Sequence, residues 1–228
     1  MTEMWELVGV DDRRYSIFSW RTRMALRHKQ LDVAYRPILL TDKESIAFSG
    51  GTTVPVIRDG DKVVRDSWAI AEYLEAAYPD HPSLFGGDTG QALTRLVNDW
   101  VDRTVLAAAF PLLAIDALLI QHESDRPYFQ GLIERLCGES PAALREQQPR
   151  NAKRLARAVD PARATLKRQP YLSGAGPAYA DYALFSVYQW ARITSPLDLL
   201  ADDPVMRGWF EKLLDRDDGF ARAVPALR

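Results

Sequence analysis

The chain has 228 residues, enough for one large domain or two small ones, each with a core of its own. Hydrophobic residues make up 47% and charged residues 26%, and a formal net charge of −2 gives none of the basic excess that nucleic acid or an anionic membrane would require. The single cysteine, Cys137, excludes an internal disulfide and fits a reducing, cytoplasmic setting. The N-terminal residues show neither the basic start nor the apolar run of a secretory signal. No uncharged stretch reaches the roughly 20 residues needed to span a bilayer.

In chain order, residues 5–10 read as a first strand, followed by a polar loop through Asp11-Asp12-Arg13-Arg14. Residues 17–29 place Ile17, Trp20, Met24 and Ala25 near helical spacing. Residues 33–40 form a second strand, where Pro37 suits an edge better than a central position. Residues 41–48 fit a short irregular helix before the loose Ser49-Gly50-Gly51 segment. Strands at 54–57 and 62–65 then flank Asp59-Gly60, a dipeptide favoured in tight hairpins. A helix opens at Asp66-Ser67. Two prolines and the Gly86-Gly87-Asp88-Thr89-Gly90 run separate this part from a helical remainder, with helices near 91–120, 125–137, 150–168, 180–193 and 204–215. The order β-α-β-α-β-β-α over residues 1–80 is that of a thioredoxin-like domain, and residues 91–228 form an all-helical second domain.

Three positions carry chemistry. Pro55 supplies no amide to a strand ladder, so it belongs where the neighbouring backbone is free to pair with something else. Asp66-Ser67 opens a helix whose free N–H groups and positive dipole end favour an anion. Together they suit a small peptide bearing an amine and carboxylates, although a capping pair and a structural proline account for the same residues. In the loop before the first helix, where a thioredoxin-like domain carries its Cys-x-x-Cys pair, stands Ser16-Ile17-Phe18-Ser19. Serines cannot cycle through a disulfide, but a hydroxyl at a helix N-terminus stabilises a thiolate by donating a hydrogen bond to it. The sulfur must then come from a bound cosubstrate. Cys137 reads as a small buried apolar residue, and His28, His81 and His122 show no metal-ligand spacing, so no metal is expected.

Ser16-Ile17-Phe18-Ser19-Trp20-Arg21-Thr22-Arg23-Met24-Ala25-Leu26 resembles the Ser-x-x-x-Trp-Arg segment of serine-type cytosolic glutathione transferases, both the zeta class and the bacterial β-aryl-etherase-like branch. Val54-Pro55 resembles that family's cis-proline turn. Asp66-Ser67-Trp68 and Tyr179-Ala180-Asp181-Tyr182 resemble its etherase-like branch. The resemblance implies the two-domain glutathione transferase fold, glutathione as cosubstrate and a homodimer. It also implies Ser16 as the catalytic thiolate stabiliser, with Val54, Pro55, Asp66 and Ser67 binding glutathione; separately, Lys43 sits where a cation can reach the glycyl carboxylate. A hydrophobic electrophile is expected between the domains, against Tyr15, Phe18, Phe110, Leu113, Ile115 and Trp190. Conjugation, β-aryl ether cleavage, maleylacetoacetate-type isomerisation and non-catalytic ligand binding all remain open. Three departures stand out: Ile17 replaces a proline common after the serine, Ala178 replaces a capping Ser or Thr, and Phe48-Ser49-Gly50-Gly51-Thr52-Thr53 replaces the usual asparagine-proline lead-in to the Val-Pro strand. Asp181 is then expected to reach back to the backbone of residue 178 and to be structural.

Overall fold

The computed structural model describes residues 1–227. Strand β1 (Thr2–Leu7) leads into helix α1 (Ile17–His28), β2 (Val33–Ile38), a 3₁₀ segment (Glu44–Ser49), the hairpin β3 (Val56–Asp59) and β4 (Lys62–Arg65), and helix α2 (Ser67–Ala77). The sheet order is β2-β1-β3-β4, with β1 parallel to β2 and antiparallel to β3. This is the expected thioredoxin-like arrangement. Pro37 lies on edge strand β2, where its missing amide costs no ladder bond to a further strand. Asp59 pairs with Lys62, so Gly60 and Asp61 form the two-residue turn, and the φ of 58° at Gly60 is one a side chain disfavours.

The first strand begins at Thr2 rather than Trp5, and residues 8–10 lie beyond it. The cause is pairing on both sides. Thr2–Leu7 matches the length of β2 from Val33 to Ile38, and Glu3 faces Arg58 of β3 while its carboxylate also bonds Arg36. Polar residues at a strand's start look like a tail in sequence, but here they complete cross-strand ion pairs.

The helical half comprises α3 (Asp88–Trp100), α4 (Ala107–Leu119), α5 (Arg126–Cys137), α6 (Pro141–Glu146), α7 (Gln148–Ala158), α8 (Asp160–Leu166), α9 (Tyr179–Thr194) and α10 (Pro204–Leu214). A π-helical stretch, Val101–Leu106, joins α3 to α4, so the helix expected over 91–120 is interrupted. It ends just before Ala107, whose carbonyl would meet the Pro111 ring in a regular helix. The helix expected over 150–168 is also two. Pro161 has no amide to give the carbonyl of Arg157, and it sits instead in the first turn of α8. Helix α6, not anticipated, starts on the pairing of Ser140 as N-cap with Pro141, the Ser140 hydroxyl accepting the Ala143 amide at 3.3 Å.

One apolar core runs through both halves. Trp20 and Ala25 of α1 belong to it together with Tyr182, Phe185 and Leu184 of α9, and Trp20 meets Phe185 edge-on at 6.3 Å. A smaller cluster of Trp5, Ile38, Ile46 and Val56 covers the sheet's other face beneath the 3₁₀ segment. Polar ties reinforce the junction. Buried Arg21 of α1 bonds Asn98 at 3.0 Å and pairs with Asp102 at 2.7 Å. Asp181 is fully buried. Its carboxylate accepts the amides of Leu172, Ser173 and Ala178 and the Trp209 indole N–H at 2.7–3.3 Å. It therefore holds the loop before α9 to α10, and an alanine at 178 needs no capping side chain.

Candidate functional site

Helices α1 and α2 both direct their N-termini at one cavity of about 440 Å³, a size suited to a small ligand. Ser16 is the N-cap of α1. Its Oγ accepts the Ser19 amide at 3.2 Å, which leaves the hydroxyl proton free to donate into the cavity. Ser19, the nearest rival, is buried inside α1 and does not line the cavity. Asp66 is the N-cap of α2. One of its oxygens takes the Trp68 and Ala69 amides at 2.9 and 3.0 Å, so the other is open to a ligand amine. Its φ of 73° with ψ of 132° lies where non-glycine residues are rarely found, a feature that recurs at ligand-binding turns. Ser67 follows, buried but facing the cavity.

Between these helix tips runs the segment before β3. The Val54–Pro55 bond is cis, and no backbone hydrogen bond within the described residues uses Val54. Lys43, from the turn before the 3₁₀ segment, completes the set. The structure thus gathers Ser16, Phe18, Lys43, Val54, Pro55, Asp66 and Ser67 around one cavity. Two helix N-termini and a lysine bias that space toward anions.

The other residues expected to hold an acceptor lie elsewhere. Tyr15 is in the core and donates its hydroxyl to Gln121 at 2.6 Å. Burial, and then the charge of Asp125, push its pKa well above the ordinary tyrosine value, so it is no source of a proton or an anion here. Leu113, Ile115 and Trp190 are buried, and Phe110 stacks on Trp190 at 5.8 Å. None of the five lines the cavity. The long helix carrying three of them turns these side chains onto α9 and the core, where burying apolar area is worth more than facing a wet cleft.

The remaining wall of the cavity comes from α5. Tyr128, Leu132 and Arg135 line the cavity at i, i+4 and i+7, one face of that helix. Leu7, Ile38, Leu40 and Ile46 make the apolar floor. Helix α5 is fastened to the sheet domain by Asp125, fully buried just before its first turn. This carboxylate accepts the amides of Leu40 and Thr41 at 2.9 and 3.0 Å and the Thr41 hydroxyl at 2.6 Å. The apolar-polar period of α5 was legible, but nothing in it says which face meets a neighbour's cavity.

Cys137, at the end of α5, is half-buried, and burial followed by the nearby Glu139 charge raises its thiol pKa, the opposite of an activated thiolate. No cluster of His, Cys, Asp and Glu suited to a metal occurs among the described residues, and none of their helices is long and apolar enough to cross a membrane. A larger cavity of about 660 Å³ between α7, α8 and the loop before α10 has no hydroxyl at a helix tip, and it does not share the chemistry above.

The family described as "Glutathione S-transferase, N-terminal domain" matches residues 12–82, and "Glutathione S-transferase, C-terminal domain" matches residues 92–218. A zeta-class glutathione S-transferase of Euphorbia esula is 40% identical over 79 residues, a match spanning 31% of this chain and only 35% of that relative. Among solved structures, glutathione transferase GSTFuA3 from Phanerochaete chrysosporium superposes with a TM-score of 0.83 at 22% identity, covering 93% of this chain and 95% of that one. The glutathione S-transferase CsGST63524 of Ceriporiopsis subvermispora, solved in complex with glutathione, gives 0.77 at 20% identity, covering 97% and 93%. With one match on the sheet-bearing half and another on more than half of the whole chain, the protein belongs to the glutathione S-transferase family.

Proposed function

We propose that this protein is a serine-type glutathione transferase, acting on a hydrophobic electrophile held against α5. The observation that carries the reading is the convergence of Ser16, Val54-Pro55 and Asp66-Ser67 on one cavity. Glutathione has an ammonium group, two carboxylates and a thiol. Asp66 receives the ammonium, the α2 N-terminus and Ser67 the adjacent carboxylate, and Lys43 the glycyl carboxylate. Ser16 donates to the sulfur, and with the α1 dipole it lowers the thiol pKa so that the thiolate predominates near neutrality. That thiolate attacks an electrophilic carbon, forming a C–S bond while the leaving group departs with the bonding pair. Cleavage of an aryl ether is the same step with an aryloxide as leaving group. Isomerisation, favoured by the zeta-class likeness, is the narrower second reading.

We place the homodimer contact on α3, where Leu93 and Leu96 are 61% and 68% exposed on consecutive turns. The decisive measurement is turnover of a general aryl halide by wild type and Ser16→Ala, together with retention on immobilised glutathione. The variant is expected to bind the column normally while losing about 100-fold in kcat. Unchanged turnover would remove Ser16 from the mechanism. Failure of the wild-type protein to bind glutathione would remove the whole reading, and binding without turnover of any electrophile would leave a ligand-binding protein.

A further inference from the structure

One cation of the cavity has no partner in the glutathione reading. Its lining contains two cations, Lys43 and Arg135, against one carboxylate, Asp66. On the reading above, the ammonium is matched by Asp66, one carboxylate by the α2 N-terminus with Ser67, and the other by Lys43. Arg135 is left over. It forms no ion pair among the described residues, whereas Arg145, one helix further on, approaches Asp116 at 3.9 Å.

Arg135 is also placed differently from Lys43. It stands two turns along α5 from Tyr128, with Leu132 between them, all on the face that lines the cavity. Tyr128 and Phe18 are large apolar side chains left 47% and 38% exposed, and both face this cavity. The Lys43 ammonium lies 5.5 Å over the Tyr128 ring, and the Arg21 guanidinium lies 5.0 Å over Phe18. Each ring thus has a cation over it while lining the cavity. Two aromatic side chains, an apolar floor of Leu7, Ile38 and Leu40, and a free guanidinium two helical turns from Tyr128 describe a receptor for a flat apolar group ending in an anion. Guanidinium pairs with a planar carboxylate through two parallel hydrogen bonds, and that pairing strengthens where apolar walls thin the water.

We infer that the acceptor of this enzyme is an aryl electrophile carrying a carboxylate, and that Arg135 of α5 is the residue that selects it. The inference rests on the glutathione transferase reading, and its test separates the two. Binding of three probes is measured by calorimetry: glutathione, S-benzylglutathione and S-(4-carboxybenzyl)glutathione. In the wild-type protein the benzyl arm tightens binding relative to glutathione, and the carboxylate tightens it a further five- to tenfold, roughly the effect of one charge-assisted pair at a partly exposed site. In Arg135→Gln the carboxylate gain disappears, while glutathione and S-benzylglutathione bind as before. Arg135→Lys, which keeps the charge but not the planar fork, retains part of the gain.

A carboxylate that adds nothing in wild type, or whose gain survives Arg135→Gln, overturns the inference and leaves glutathione binding intact. Weaker binding of glutathione itself to Arg135→Gln also overturns it, because Arg135 would then serve the cosubstrate. If wild type binds none of the three, the glutathione reading fails, and the inference falls with it.

Discussion

The cavity wall carrying Ser16, Pro55 and Asp66 is made from the ends of regular elements, whereas the wall carrying Tyr128, Leu132 and Arg135 is the side of one helix. The first wall works through backbone geometry. Each functional side chain there also caps or interrupts its own element, as when Ser16 takes the Ser19 amide and Asp66 takes those of Trp68 and Ala69. The second wall does no local structural work for α5, and its position depends on what fastens that helix. On the proposed function, cosubstrate recognition is therefore tied to folding, while acceptor recognition is free to vary with three side chains.

The two walls part most clearly at Asp125. In Asp125→Ala two amides and a hydroxyl lose a buried carboxylate acceptor, and the expected loss of stability is about 3 kcal/mol. Urea unfolding measures it. The same variant is expected to raise KM for the acceptor more than for glutathione, because α5 is what comes loose. An equal rise in both would mean that the two walls are not independent.

Asp66→Asn tests the first wall. Asparagine caps helices as well as aspartate does and tolerates positive φ, so the melting temperature is expected to stay close to wild type. Glutathione binding, in contrast, is expected to weaken about fivefold through loss of the charge facing the ammonium. Parallel losses in stability and binding would show that Asp66 is only a cap.

The smallest expected effect concerns pH. His28, at the far end of α1 from Ser16, bonds the Tyr182 hydroxyl at 2.7 Å and the Ser83 carbonyl at 2.9 Å. Burial, then the Arg216 charge, lowers its pKa below the usual 6.5; Lys29 acts the same way, while the Ser83 bond and Glu75 oppose the shift. Between that lowered value and 6.5 the unfolded chain binds a proton that the folded chain does not. Stability is therefore expected to be full above pH 6.5 and to fall as pH drops through this window. His28→Gln should flatten this part of the stability profile, and a wild-type profile already flat there would contradict the assignment.

Much of the fold was legible because it rests on local signals. Pro37 marked an edge strand, Asp59-Gly60 a hairpin, and the spacing of Ile17, Trp20 and Met24 a helix. Where local signals were misread, a proline or a partner decided. Pro161 split one helix into α7 and α8, Pro111 stands just beyond the wide turn in another, and cross-strand pairing moved β1 to Thr2.

The first wall and the family were written in short stretches of the chain. A hydroxyl before a helix, a proline before a strand and an acidic N-cap are short-range features, with their backbone consequences fixed within a few residues. The second wall depends on packing between distant parts of the chain. Phe110, Leu113 and Trp190 carry the same apolar character as Tyr128 and Leu132, and periodicity cannot tell a helix face that meets another helix from one that meets a cavity. That choice was made by packing over long separations: α4 turned onto α9 to bury its apolar face, and Asp125 held α5 against the loop at Leu40 and Thr41.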